Sequence, residues 1–454
     1  DAAGGTAAPS IARFAVAPPL RDPGFMLGML VEQRRSGPAL ASNLQFLAER
    51  GISGVMHYQI DRALMEAAPE YGMRAMAIVH GSSDPKLMKE RPPLLRINAS
   101  GNPFRDKPPS IADLLWQDSM ATGLAIAVST LAKYPGFLPW MCTSDDYYRR
   151  TGLDYHPANV ERFRALTSHE PPRPPEALTN DYPRTVARPP GIIPDDDPWV
   201  AWLRFNARDV LGRFNRGLAT AVENVTDGQG KIGPVPGGGP LCMGTVPLAD
   251  MESGQWPPYN FGNSGFNLVS YYNYNFNAYP ALIQVWWAEM ARLGNRDMPV
   301  WLMPDTMHPR TYYHLQNYHL FMSAHLDGLV YFIHEWSKPG FDMALQSFGP
   351  INKYLGPWLK AVKPVPATVG LLVPFETACY RADHPIDCGL AYCNLRMAQV
   401  PVEPVCPEEL PRRGGQYKAV LLHDVDQLSA SNVRLLDKYR QQGGRVILDR
   451  ATGL

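Results

Sequence analysis

The stretch that decides the fold runs from Phe25 to His57. It opens with Phe25-Met-Leu-Gly-Met-Leu-Val31, an unbroken apolar run of the kind a strand buried on both faces requires. From Ala39 to Arg50, Leu40, Leu44 and Leu47 fall at helical spacing. Gly51 ends that helix, and Ile52-Ser-Gly-Val-Met-His57 follows as a second apolar strand. A glycine at a helix exit followed directly by a short buried strand is the αβ connection of a parallel sheet.

The unit then repeats along the chain. Arg62 to Tyr71 reads as a helix and Met73-Arg-Ala-Met-Ala-Ile-Val79 as a strand; a helix over 111–134 stops at Pro135-Gly136 before the strand Phe137-Leu-Pro-Trp-Met-Cys-Thr143. Residues 147–198, dense in Pro, Arg and Asp, read as one elaborate loop, and 236–263 as a second. Trp199 to Val225 is an amphipathic helix, and Lys231-Ile-Gly-Pro-Val235 a fifth strand. Leu268 to Tyr272, Pro299 to Met303 and Gly328 to Ile333 supply three more strands, with helices over 281–293, 312–325 and 351–362. Eight strands alternating with helices predict a (β/α)8 TIM barrel over 25–362, preceded by a flexible segment over 1–24. Lys363-Pro-Val-Pro-Ala367 reads as a linker. Residues 367–454, with strands at 368–373, 419–423 and 444–448 and a helix over 431–442, read as a small open α/β module of the flavodoxin or amidotransferase kind.

Composition narrows the function. The chain has 454 residues, with 43 basic and 43 acidic side chains, so no global charge favours nucleic acid or an anionic membrane. No apolar run approaches the ~20 residues that span a bilayer. Aromatics make up 10% of the chain, and rings of this kind suit stacking on sugars as well as core packing. The chain opens at Asp1 without Met, in a run of small residues. The expectation is a secreted or periplasmic protein, a trimmed chain being the alternative. Six cysteines include no Cys-x-x-Cys pair, which argues against zinc and leaves a disulfide among the last four open. No metal or other cofactor is expected, because phosphate-loop, nucleophile-elbow and His-Glu-x-x-His motifs are all absent.

Arg96-Ile-Asn-Ala-Ser-Gly101, the helix ending Leu131-Ala-Lys-Tyr-Pro135 and the stretch Pro139-Trp-Met-Cys-Thr-Ser-Asp-Asp-Tyr147 resemble the glycoside hydrolase family 42 β-galactosidases. So do the helix 199–225, the strand Leu326-Asp-Gly-Leu-Val-Tyr-Phe332 and Gln441-Gln-Gly-Gly-Arg-Val-Ile447 in the last module. The resemblance covers roughly residues 25–454, as an order of elements more than as identities. It implies a retaining hydrolase with its acid/base after strand four and its nucleophile after strand seven. The family pattern Trp-x-x-x-Asn-Glu-Tyr reads here with Asp145-Asp146 in place of Asn-Glu and one extra residue after Trp140. Asp305, in Trp301-Leu-Met-Pro-Asp305, stands where the seventh-strand Glu is expected. These departures leave galactosidase activity unsupported and the sugar open.

Glycoside cleavage needs two carboxyl groups flanking the anomeric carbon, about 5–5.5 Å apart for retention and roughly 6.5–9.5 Å for inversion. Asp for Glu at both positions draws each carboxylate back and shifts the expectation toward the inverting gap. Asp146 is the candidate acid/base and Asp145 the second choice; Asp305 is the candidate nucleophile or base, with a helix N-cap as its bland reading. Glu335, after the eighth strand, is the alternative second carboxylate. Around them, Glu32, His57 and His80 follow strands one to three, and Trp140 opens the fourth. Tyr272, Asn273, Tyr274 and Asn275 follow or end the sixth strand, and His334 and Trp336 flank Glu335. All are candidate sugar contacts, and each is as readily barrel-mouth packing. The leading function is a glycoside hydrolase acting on a terminal sugar or short oligosaccharide. The alternatives are a barrel that binds sugar without turnover, or a structural protein that assembles as a homo-oligomer through its last module.

Overall fold

The computed structural model describes residues 26–31, 37–57, 61–78, 85–104, 107, 109–134, 136–143, 153–173, 186, 188–234, 256–273, 282–304, 325–333, 363, 365–381 and 383–454. The first nine strands are β1 (Met26–Val31), β2 (Gly54–His57), β3 (Arg74–Ala77), β4 (Trp140–Thr143), β5 (Gly191–Ile193), β6 (Lys231–Pro234), β7 (Val269–Asn273), β8 (Val300–Pro304) and β9 (Gly328–Ile333). All of these except β5 coincide with the eight apolar runs read from the sequence. Helices intervene at Gly37–Glu49, Arg62–Ala67, Leu114–Leu131, Arg213–Val225 and Ile283–Ala291. The expected helices over 312–325 and 351–362 and the segment 1–24 lie almost wholly outside the described residues.

Pairing between the described strands is parallel. One ladder runs β3-β2-β1-β9-β8-β7 and a second joins β4 to β6. The two ladders touch at both ends. The Leu138 N–H donates to the Ala75 carbonyl at 2.8 Å, linking β3 to the approach of β4. The Asn267 N–H donates to the Ile232 carbonyl at 3.1 Å, and the Asn267 side chain accepts from the Ile232 N–H at 2.7 Å, linking β6 to the approach of β7. Gly233 has to be glycine, because a Cβ there would sit 1.7 Å from the Leu268 carbonyl oxygen. The helices close over this framework with Leu40, Leu44 and Leu47 of the first helix and Trp116, Met120, Leu124 and Val128 of Leu114–Leu131 all buried. They stand at the 3.6-residue period that faces one stripe inward.

Two regions differ from the sequence reading. Within 147–198, read as loop, Pro157–Thr167 is a helix and Gly191–Ile193 a strand. His156 caps that helix by accepting the Ala158 N–H, Pro157 stands at its first position, and Phe163 is fully buried. Proline is tolerated there because the first helical N–H has no partner to lose. The expected amphipathic helix 199–225 is present but carries an internal π-helical stretch, Phe205–Gly212. There the backbone approaches its neighbour so closely that a Cβ on Gly212 would lie 2.4 Å from the Tyr259 carbonyl oxygen.

Beyond residue 367 lies a four-stranded parallel sheet of β10 (Val369–Leu372), β11 (Val402–Val405), β12 (Ala419–Leu422) and β14 (Arg445–Leu448), in the order β11-β10-β12-β14. The sequence reading expected three of these. It missed β11, whose Pro404 argues against a strand, as well as the helices Phe375–Tyr380 and His384–Met397. An edge position explains the tolerance, since an edge strand needs hydrogen bonds along one side only. β13 (Gln427–Ser429) reaches back to pair with β5. The sheet docks on the preceding part of the chain through the helix Ile283–Ala291. Trp286 donates to the Pro385 carbonyl at 2.9 Å, and Gly389 lets the indole approach so closely that a Cβ would meet it at 2.7 Å. Cys379, Cys388, Cys393 and Cys406 are free and buried, so the disulfide left open among them does not form.

Candidate active site

The parallel registers bring strand ends together. Val31 is paired with both His57 and Ile333, His57 with Ala77, Thr143 with Pro234, and Asn273 with Pro304. The next residues in sequence after several of these ends are the candidates: Glu32 after Val31, Tyr274 after Asn273, Asp305 after Pro304 and His334 after Ile333. Asp145 and Asp146 follow Thr143 by two and three positions. Glu32, His80, Asp145, Asp146, Tyr274, Asn275, Asp305, His334, Glu335 and Trp336 themselves lie outside the described residues. Tyr272 and Asn273 are placed in β7 by their backbone alone.

Two candidates have described side chains. His57 closes β2 and is 2% exposed, with its carbonyl accepting the Ile78 N–H at 2.8 Å. Trp140 opens β4, and its ring lies 5.2 Å from that of Trp301 on β8, tilted by 31°. β4 and β8 belong to different ladders, so these rings meet between strands that do not pair with each other. Trp301 is fully buried, and its indole N–H has no acceptor among the described residues. The pair braces the strands that lead to Asp145, Asp146 and Asp305. Trp140 is itself only partly buried.

The last module carries a thiol–imidazole contact. His423 meets the carboxylate of Asp449, while Cys379 is buried and its carbonyl accepts the Trp199 indole N–H at 3.0 Å. The close pair is Cys388 with His384, 3.4 Å from Sγ to Nε2, one helical turn apart. Burial raises the Cys388 thiol well above its ordinary range and lowers His384 to about 3. Both groups are therefore neutral at pH 7, and the pair is not an activated thiolate. Over it, Arg381 donates to Asp387, Asp424 and Asp426 at 3.0, 2.6 and 3.1 Å, clasping the helix to the end of β12. No group of metal-ligating side chains occurs among the described residues.

No family model matches the chain. No curated protein matches it by sequence either. Solved structures match it by fold. A β-galactosidase from Bacillus circulans sp. alkalophilus superposes with a TM-score of 0.68 over 95% of this chain and 72% of that one, at 12% identity. A catalytic mutant of Gan42B, a family 42 β-galactosidase of G. stearothermophilus, gives 0.66 over 95% and 72% at 13% identity. A family 42 exo-carrageenase from Bacteroides ovatus gives 0.58 over 94% and 62% at 12% identity. At such identities the likeness is one of fold. The chain has the mixed α/β fold of these family 42 glycoside hydrolases, as the order of its elements implies.

Proposed function

We propose that β1, β2, β3, β4, β6, β7, β8 and β9 close a (β/α)8 barrel, and that the protein is a glycoside hydrolase working at the C-terminal ends of those strands. The contacts between β3 and β4 and between β6 and β7 support closure, because they join the two ladders at both of their ends. The fold shared with β-galactosidases and an exo-carrageenase supports a glycosidase. Residues 367–454 are read as an amidotransferase-like module that serves assembly rather than chemistry, in an exported homo-oligomer.

The observation that carries the reading is the placement of β4 and β8. Active-site groups of such barrels stand on the loops directly after the strands. Asp145-Asp146 and Asp305 follow these two. In this mechanism Asp146 protonates the leaving oxygen, with Asp145 as its alternate. Asp305 acts as nucleophile or as the base that activates water. Glu335 takes that second role if Asp305 serves only to cap the segment after it.

The test is hydrolysis of aryl glycosides of neutral sugars and uronic acids by wild type, Asp146→Asn, Asp305→Asn and Glu335→Gln. Turnover of one sugar, reduced by about three orders of magnitude or more in the Asp146 and Asp305 variants, is the expected result. NMR of the first-formed anomer then reports retention or inversion. Sugar binding without turnover in wild type would replace the enzyme with a binding barrel, and loss in Glu335→Gln but not in Asp305→Asn would reassign the second carboxylate.

A further inference from the structure

Where the first turn of helix Leu114–Leu131 meets helix Pro157–Thr167 and the π stretch Phe205–Gly212, the surface folds into a cavity of about 210 Å³. Helix and turn residues line it, and no described strand contributes. Its polar wall consists of Gln117, Asn159, Arg162, Asp209 and Arg213. The volume holds about seven waters, the scale of one sugar ring rather than of an oligosaccharide.

The arginines give the cavity its character. Arg162 is half-buried, donates to the Asp209 backbone carbonyl at 3.1 Å, and lies over the Phe205 ring at 5.7 Å from its centroid. Neither Arg162 nor Arg213 forms an ion pair with a carboxylate among the described residues, in a molecule where Arg188, Arg204, Arg296 and Arg381 all do. Two guanidiniums side by side repel one another. Burial and the neighbouring charge of Arg213 lower the pKa of Arg162, and the Asp209 carboxylate offsets them only in part.

The π stretch explains how Arg162 is aimed. Wide-turn segments of this kind are rare inside helices and recur at functional sites. Here the carbonyls of Ala207 and Asp209 accept from side chains outside the helix, Asn260 at 2.8 Å and Arg162 at 3.1 Å. The second of these pins one guanidinium nitrogen and leaves the rest of the fork for the cavity. The Gln117 amide nitrogen is committed to the Ile111 carbonyl, so its side-chain oxygen, like the Asp209 carboxylate, offers an acceptor. Leu114, 55% exposed, stands at the rim as an apolar platform.

We propose that this cavity is a second binding site, apart from the strand ends, for an oxyanion carried on a hydroxylated body: the carboxylate or sulfate ester of an acidic sugar residue. The paired guanidiniums take the anion, whose planar or tetrahedral oxygens match their fork. The Asp209 carboxylate and the Gln117 oxygen take hydroxyls. A bare inorganic anion satisfies the arginines but leaves these acceptors without donors, so the sugar-borne source is favoured.

Equilibrium dialysis of the full chain with labelled glucuronic acid, labelled sulfate and labelled glucose tests this without reference to turnover. Glucuronic acid is expected to occupy one site per chain, with affinity falling as salt rises. It should bind at least about tenfold more weakly to Arg162→Gln and to Arg213→Gln, the loss of one charged hydrogen bond. Arg216→Gln, an exposed neighbour on the same helix outside the cavity, should bind as wild type does. Arg213 is itself exposed, so its variant keeps the core intact. Sulfate binding alone, with the same sensitivity to both arginines, would keep the oxyanion site and assign it to a free anion. Glucose binding as tightly as glucuronic acid, equal losses in Arg216→Gln, or no saturable binding of either anion would overturn the proposal.

Discussion

The indole rings of Trp140 and Trp301 lie 5.2 Å apart, joining the first residue of β4 to the second residue of β8, two strands of different ladders. These are the strands after which Asp145-Asp146 and Asp305 follow in sequence, so an aromatic contact in the core holds the two strands to each other. Aromatic pairs of this geometry add about 0.5–1.5 kcal/mol to the area they bury.

Truncating the buried partner tests that brace. Trp301→Ala should lower stability by about 3–5 kcal/mol through loss of packing and the cavity left behind. Trp301→Phe should recover most of the loss, because it keeps a ring against Trp140 and removes an indole N–H that has no acceptor among the described residues. Urea unfolding followed by circular dichroism measures both. If Trp301→Ala costs less than ~1 kcal/mol, the contact does not brace these strands.

A second brace is ionic and crosses between the two parts of the chain. Arg204, at the end of helix Pro198–Arg204, lies 3.6 Å from the fully buried carboxylate of Glu376, which also accepts from Asn432 at 2.7 Å. Removing only the cation leaves a buried charge without its counter-ion, which costs roughly 3–5 kcal/mol. Arg204→Met should therefore be severely destabilising. Adding Glu376→Gln to it should restore part of the stability, since the neutral amide carries no charge to strand. Thermal unfolding of the two single variants and the double variant, treated as a cycle, measures the coupling. Additive effects would mean that the two groups do not depend on each other.

The strands were legible because each is a short apolar run closed by a turn signal, as Ile52 to His57 is after Gly51. Helix Pro157–Thr167 was not, since prolines and charges on both sides hid the single buried face that Asn159 and Phe163 supply. β11 was hidden by Pro404, acceptable only because the strand is at an edge. Of the candidate site, sequence reading supplies the strand ends and the carboxylates that follow them, since chain order carries both. The arginine cavity was out of reach. Its walls come from residues 111–117, 158–162 and 209–213, and a π register has no periodic signature to announce how Arg162 is held.

The buried imidazole of His384 gives stability a pH dependence of definite sign. Burial, with the positive charge of Arg381 nearby, lowers its pKa to about 3 in the folded protein, against about 6.5 for an exposed histidine. Between those values the unfolded chain binds a proton that the folded one refuses. Unfolding is therefore favoured as pH falls, and this contribution to stability is fully present only above about pH 6.5. Its slope approaches about 1.4 kcal/mol per pH unit once the unfolded histidine is protonated. His384→Asn cannot take up a proton in either state. Its unfolding free energy, measured in urea from pH 7 to pH 4.5, should fall less steeply than that of wild type, even though it starts lower through the lost contact with Cys388. Asp424, whose carboxyl is held below its ordinary range by hydrogen bonds from Arg381, loses its contribution only in the more acidic range below the usual aspartate pKa, so it does not imitate the effect. Parallel pH profiles for wild type and His384→Asn would show that the imidazole is reachable by protons in the fold, and that its burial does not set the acid limit of this module.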